Sequence, residues 1–319
     1  MSDSVIHLVF TAYRPEDLAE VLEFTGECSR LSNFANFHPG DIAHWMSSTF
    51  RGRDLSSHFG LYRDGESGRI VALNFSAVPR NTFFELMLHP RFRGSQLEVD
   101  LFKDTQRRLL EQSQSETPDP ANKRVGTNLY SGDDARRDLL ETLGYSREPD
   151  SLDYLSARSL EDFLPEPELP EGFTIRDVAG EHEVSAVIKV HNGSFGSNWT
   201  EESYLEVIRT PSFQYGREMV VVAPESGLGD ATVFAAFCIY WLDPVSRRGL
   251  FEPVGCHKDF QRRGLTRALM YAAMQRMKTA GMEAVQIFYH ANNEAAKALY
   301  LSLGFRPIHE VYEYYASFE

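Results

Sequence analysis

Two tandem α/β domains, each an α+β mixed sheet that is twisted and flanked by helices, are the fold class this sequence predicts. Three observations carry the prediction. Extended and helical segments alternate along both halves, residue patterns of the first half recur in the second at constant offsets, and a proline-rich segment separates the copies. The 319 residues suffice for two domains of roughly 150 each, and 42% hydrophobic content lets each bury its own core.

Each half opens on an extended run, Ile6 to Tyr13 and Phe173 to Val178. An acidic amphipathic stretch follows, Pro15 to Ser29 and Glu181 to Asn192. Two β-rich runs come next, Ser57 to Tyr62 and Arg69 to Val78 in the first half, Glu218 to Ala223 and Thr232 to Leu242 in the second. His89 and Phe92 then match His257 and Phe260 at an offset of 168 residues, ahead of helical patterns over Leu97 to Gln112 and Leu265 to Ala280. Short helices, Asp134 to Leu143 and Glu294 to Leu303, run into Gly144-Tyr145 and Gly304-Phe305 at an offset of 160. A polar loop, Gln112 to Asn122, absorbs the difference. Pro165, Pro167 and Pro170 fall within six residues with acids between them, which no helix or central strand accommodates. The expected division is therefore 1–164, a linker at 165–172, and 173–319.

A formal charge of −14, from 46 acids and 32 bases, argues against binding nucleic acid, which needs a basic face. No apolar run approaches the roughly 18 residues of a membrane span, so no membrane role is expected. Met1 to Tyr13 lacks the basic and apolar regions of a secretory signal. Cys28, Cys238 and Cys256 are odd in number and widely spaced, which fits the reducing cytoplasm and offers neither a disulfide framework nor a metal site.

Leu250 to Cys256 reads as a strand, followed by Gln261-Arg262-Arg263-Gly264-Leu265-Thr266-Arg267 and a helix. Strand, basic glycine loop and helix N-terminus together form a seat for an anion, because first-turn N–H groups lack intrahelical partners and carry the positive end of the dipole. Gly264 admits a phosphate close to the backbone, and Arg262, Arg263 and Arg267 add charge. Further on, Asn292 or Asn293 is suited to cap a helix and Gly304 to stop it. Tyr300 lies seven residues after Asn293 on the same helical face, where by itself it reads as a core aromatic.

These two elements, in this order and around a fifth-strand segment from Glu283 to His290, resemble the Gcn5-related N-acetyltransferase (GNAT) family. The loop pattern Gln/Arg-x-x-Gly-x-Gly/Ala is met by Gln261 and Gly264, with Thr266 in place of Gly or Ala; the second pattern is met by Asn293, Tyr300, Gly304 and Phe305. The resemblance covers residues 173–319 and extends to tandem members of the family similar to mycothiol synthases. It implies an acetyl-CoA or other short acyl-CoA cosubstrate, no metal, and direct transfer of the acyl group to the primary amine of a small molecule. Val254, Gly255 and Cys256 would pair with the pantetheine arm. The backbone from Arg262 through Leu265 to Arg267 would hold the pyrophosphate. Tyr300 would protonate the departing thiolate. Glu252, which alternation places on the face of Val254, reads either as the general base or as a structural carboxylate. Phe195, Trp199, Glu201 and Tyr204 are candidates for the acceptor pocket or for packing between two short helices, and His290 for the acceptor cleft or for the surface.

Position by position, the first half lacks this chemistry. Gln96 stands at the place of Gly264, Glu98 at Thr266, Phe84 at Glu252 and Leu140 at Tyr300. It resembles a degenerate GNAT domain whose role is to shape the acceptor cleft. The reading is a small-molecule N-acetyltransferase, monomeric or homodimeric; the alternatives are a non-catalytic acyl-CoA-binding module and a protein or peptide N-acetyltransferase.

Overall fold

A computed structural model describes residues 7–32, 34, 37–44, 58–77, 82–116, 124–209, 214–224 and 232–318. Ile6, Ser57, Val78 and residues 117–122 of the polar loop, assigned above from sequence, lie outside the described residues. The first half contains β1 (Leu8–Ala12), α1 (Leu18–Leu31), α2 (Pro39–His44), β2 (Phe59–Asp64), β3 (Ile70–Ala77), β4 (Phe83–Leu88), α3 (Gln96–Glu116), β5 (Arg124–Tyr130), α4 (Asp134–Thr142), β6 (Ser146–Arg147) and β7 (Asp153–Ser159). The second contains β8 (Thr174–Asp177), α5 (Val184–Phe195), α6 (Glu201–Ile208), β9 (Glu218–Val222), β10 (Phe234–Asp243), β11 (Arg248–Cys256), α7 (Leu265–Thr279), β12 (Ala284–His290), α8 (Glu294–Ser302) and β13 (Arg306–Ser317).

The repeated residues are turn-makers. His89 and His257 each cap a short 3₁₀ turn, the Nδ1 atoms accepting from the N–H groups of Arg91 and Asp259 at 3.3 Å. Phe92 and Phe260 lie edge-on to those rings at 6.2 and 6.0 Å. Gly144 and Gly304 take φ of +81° and +87°, and the next N–H groups reach back to the carbonyls of Leu140 and Tyr300, which closes α4 and α8 identically.

The strands of both halves join one mixed sheet of order β1-β2-β3-β4-β5-β13-β7-β12-β11-β10-β9-β8. The halves exchange their last strands. β7 pairs with β12 from Ser159↔Ala284 to Asp153↔His290. β13 pairs with β5 from Tyr130↔Val311 to Arg124↔Ser317, and it also borders β7. Helices cover both faces. In the second half α7 and α8 bury one core with Phe251, Leu269, Met274 and Phe305, while α5 and α6 bury another with Val187, Val220 and Phe237. α3 and α4 repeat the first arrangement and α1 the second. Among the described residues no helix is long and apolar enough to cross a membrane.

Candidate active site: a parted strand pair beside a helix N-terminus

β11 and β12 run parallel and pair only from Arg248↔Ala284 to Phe251↔Ile287. Beyond Phe251 they part. The other edge of β11 stays fastened to β10, with Val254, Gly255 and Cys256 opposite Cys238, Phe237 and Ala236. The edge of Glu252–Cys256 that faces β12 is thus a free strand edge, able to accept an extended ligand. Three steps on β11, Phe251 to Val254, oppose two on β10, Tyr240 to Cys238. This extra residue corrects an expectation: alternation is broken at Glu252-Pro253, so Glu252 does not share the face of Val254. Val254 and Cys256 pack toward the α7 core.

The free edge leads to the basic loop. Arg262 and Gly264 take φ of +62° and +79°. A Cβ at Gly264 would meet open space, so the backbone conformation is what calls for glycine here. The first bond of α7 is from the Ala268 N–H to the Gly264 carbonyl, leaving the N–H groups of Leu265, Thr266 and Arg267 without intrahelical partners. Gln261, Arg262, Arg263 and Arg267 are exposed around them. Gln261 donates to the Cys256 carbonyl at 3.4 Å and Arg263 to that of Asp259 at 3.2 Å, bracing the loop on the strand end. The Leu265 side chain is in the core, so only its backbone faces the seat. Thr266 is half-buried, with its hydroxyl toward the Cys256 thiol, whose pKa burial raises.

Tyr300 is only 7% exposed, against Tyr289 at 5.2 Å and Phe305 at 6.0 Å between ring centroids. Burial, then the charges of Glu252 and Tyr289, push its pKa well above the usual phenol value. The hydroxyl therefore keeps its proton, and it has no hydrogen-bond partner among the described residues. Asn293 accepts from the Ala296 N–H at 3.1 Å, so its side chain is engaged as the cap of α8. Glu252 is half-buried, and its carbonyl accepts from Trp241 Nε1 at 2.7 Å. Burial, followed by the charge of Asp41, raises its carboxyl pKa to about 8.

The end of α5 lies directly over the anchor strand. A Cβ at Gly193 would fall 1.9 Å from the His257 ring, and one at Gly255 2.4 Å from Phe237. His191 stacks between Phe195 and Trp199, at 4.9 and 4.4 Å. Phe195 and Glu201 are exposed and Trp199 is half-buried. Tyr204, considered for the pocket wall, is in the core instead. Helical spacing turns it inward with Val207 and Ile208, and its hydroxyl donates to the buried Glu218. His290 is exposed and hydrogen-bonded to Asp153 at 2.5 Å across the β12–β7 pair.

Sequence reasoning missed α2, which packs on β10 and β11 from the other half. A Cβ at Gly40 would fall 2.4 Å from the Trp241 ring, and His38 Nε2 donates to the Arg248 carbonyl at 3.1 Å. A lone acid in a short segment, Asp41 carried no local signal.

In the first half β4 and β5 part in the same manner, pairing among the described residues only at Phe83↔Gly126. The corresponding anion seat is filled from within. Glu98 accepts from the Gly94 N–H at 2.6 Å and from Arg136 Nε at 3.0 Å. Phe84, at the place of Glu252, is packed on Phe102 in the core.

Residues 184–305 match the model of the acetyltransferase (GNAT) family. A mycothiol acetyltransferase of Tsukamurella paurometabola is 29% identical over 168 residues, 50% of this chain and 56% of that protein. Another, of Saccharomonospora viridis, is 29% identical over 186 residues, 55% and 59% of the two chains. The chain thus spans little more than half the length of these curated relatives. A tandem GNAT protein from the clavulanic acid biosynthesis pathway superposes with a TM-score of 0.67 over 98% of both chains at 14% identity. A GCN5-related N-acetyltransferase from Sphaerobacter thermophilus does so with a TM-score of 0.64, over 97% of this chain and 95% of that one, at 20% identity. Residues 184–305 thus carry the match to the acetyltransferase (GNAT) family, and the chain as a whole shares its fold with a tandem GNAT protein.

Proposed function

We propose that the second half is an acyl-CoA-dependent N-acyltransferase that moves an acetyl group to the primary amine of a small molecule. The observation that carries this reading is the free edge of β11 running into the N-terminus of α7, with Glu252 and Tyr300 beside the gap. The backbone of Val254–Cys256 would hold the pantetheine arm, and the N–H groups from Arg262 to Arg267 the pyrophosphate. The cosubstrate supplies an activated thioester carbonyl. The chain manages two protons around it. Glu252, ionised, takes one from the acceptor ammonium, directly or through water, so that the nitrogen lone pair forms the C–N bond as the C–S bond breaks. Tyr300 gives its phenolic proton to the departing sulfur and regains one from solvent. A base with a pKa near 8 is strong enough to accept that proton and is partly ionised at neutral pH.

A small acceptor is favoured by the names of the relatives, mycothiol acetyltransferases. The free cysteines fit a reducing cytoplasm. The first half is read as a wall of the acceptor cleft, with the boundary near residues 165–172. Thiol release from acetyl-CoA, followed with and without primary amines, tests the function. Release should require an amine and yield the N-acetyl product; acetyl-CoA binding without amine-dependent release would reduce the protein to a binding module.

A further inference from the structure

Where α2 crosses β10 and β11, the two halves bring carboxylates together, without a counter-charge among the described residues. Asp41 Oδ2 accepts from the His38 N–H at 2.8 Å, its one hydrogen bond among the described residues. His38 offers it no positive charge: Nε2 donates to the Arg248 carbonyl, Nδ1 accepts from the Gly40 N–H at 3.0 Å, and burial holds the ring neutral by lowering its pKa. Gly40 rests on Trp241, whose indole N–H holds the Glu252 carbonyl, so this contact ties the placement of Asp41 to that of Glu252. Each carboxyl is raised above the ordinary range, Asp41 to about 7 by burial and Glu252 to about 8 by burial and then by Asp41. Among the described residues no cation contributes to either shift.

Two phenols lie near enough to feel the charges of the pair. Tyr130, on β5 of the first half, is 8% exposed and lies within the fields of Glu85 and Asp41. Tyr300 lies within that of Glu252. Neither hydroxyl has a hydrogen-bond partner among the described residues, and neither is sealed from solvent as the fully buried, unpartnered side-chain atoms are. Acceptor oxygens, unpartnered hydroxyls and a missing cation are together what an N–H-donating cation would complete.

We propose that the acceptor is bound as its ammonium ion between Asp41 and Glu252, with the Tyr130 hydroxyl beside it, so that the first half supplies one side of the ammonium seat. This rests on the N-acyltransferase reading and adds to it a cationic acceptor class and a binding residue outside the GNAT-matched segment. The seat is testable without knowing the acceptor. The melting temperature of the full chain is followed at about pH 8.5 in about 100 mM ethylammonium chloride and in sodium chloride of equal ionic strength. Binding to the folded state alone should raise it by about 2–4 °C in ethylammonium over sodium. Asp41→Asn, which keeps the bond from the His38 N–H and removes a buried charge, should lose most of that difference, and Glu252→Gln likewise. An equal response to both salts in the parent, or a full ethylammonium effect in Asp41→Asn, overturns the seat. Amine-dependent thiol release on the same preparations separates the two readings. Release without an ammonium effect removes the seat alone; an ammonium effect without release removes the transferase reading alone.

Discussion

The carboxylate of Glu98 lies 2.8 Å from the guanidinium of Arg136, with 3% and 2% of the two side chains exposed. Glu98 stands at the place of Thr266, and its other oxygen takes the Gly94 N–H. The first half thus carries its own anion where the second half offers the unpaired N–H groups of a helix N-terminus. One CoA per chain is the stoichiometry expected from calorimetry, and Gly264→Glu should abolish it. Two equivalent sites would mean that Glu98 moves aside. Arg136→Ala leaves the buried Glu98 with Arg93 alone, at 3.7 Å, as its cation among the described residues, so the first half should lose up to about 3–5 kcal/mol, read as a lowered denaturant midpoint. CoA affinity in the second half should be unchanged.

Tyr300→Phe removes one hydroxyl and keeps the ring against Tyr289 and Phe305. Turnover should fall by about 10²–10⁴ if the phenol is the general acid. CoA affinity should hold, because the seat is built from the backbone around Gly264. Unchanged turnover, with chemistry shown to limit the rate, would leave Tyr300 as a core aromatic only.

What was legible in the sequence was local. The His-x-x-Phe and Leu-Gly-aromatic repeats announce the duplication because each is a complete turn: a capping imidazole with a ring on it, or a glycine forced to positive φ. The partners of β7 and β13 were not legible, since alternation marks a strand without naming the strand beside it. Pro253 did carry a signal, because proline inside a strand points to a bulge. Strict alternation overrode that signal, and with it went the face of Glu252. Asp41 acts across about 200 residues of chain, and no short-range pattern marks such a pairing.

The strand exchange makes the halves depend on one another. β13 closes the gap between β5 and β7, so a chain ended after Gly304 exposes two strand edges at once. Such a chain should aggregate, or lose the far-ultraviolet and chromatographic signature of a folded monomer, although every residue of the loop, Glu252 and Tyr300 are retained. A well-folded, CoA-binding truncation would show that the exchanged strand is dispensable.

Glu252 ties stability and rate to pH with opposite signs. Its carboxyl is raised from 4.5 to about 8, so the folded chain holds this proton more tightly than the unfolded one. The stability it contributes is full below the unfolded value and is lost as pH rises through about 8. Glutamine does not titrate, so Glu252→Gln should gain on the parent in melting temperature as pH climbs through that window. Asp41 adds a slope of the same sign, raised to about 7, and is present in both chains, so the difference between them reads Glu252 together with its coupling to Asp41. Rate moves the other way. The base proposed at Glu252 would work only when ionised, so kcat/KM of the parent should climb with pH through about 8, and the variant should lack that limb. Partial recovery is expected only at still higher pH, where the acceptor is already a free amine. A structural carboxylate would move the melting curves and leave the two rate profiles superimposable; a base moves both.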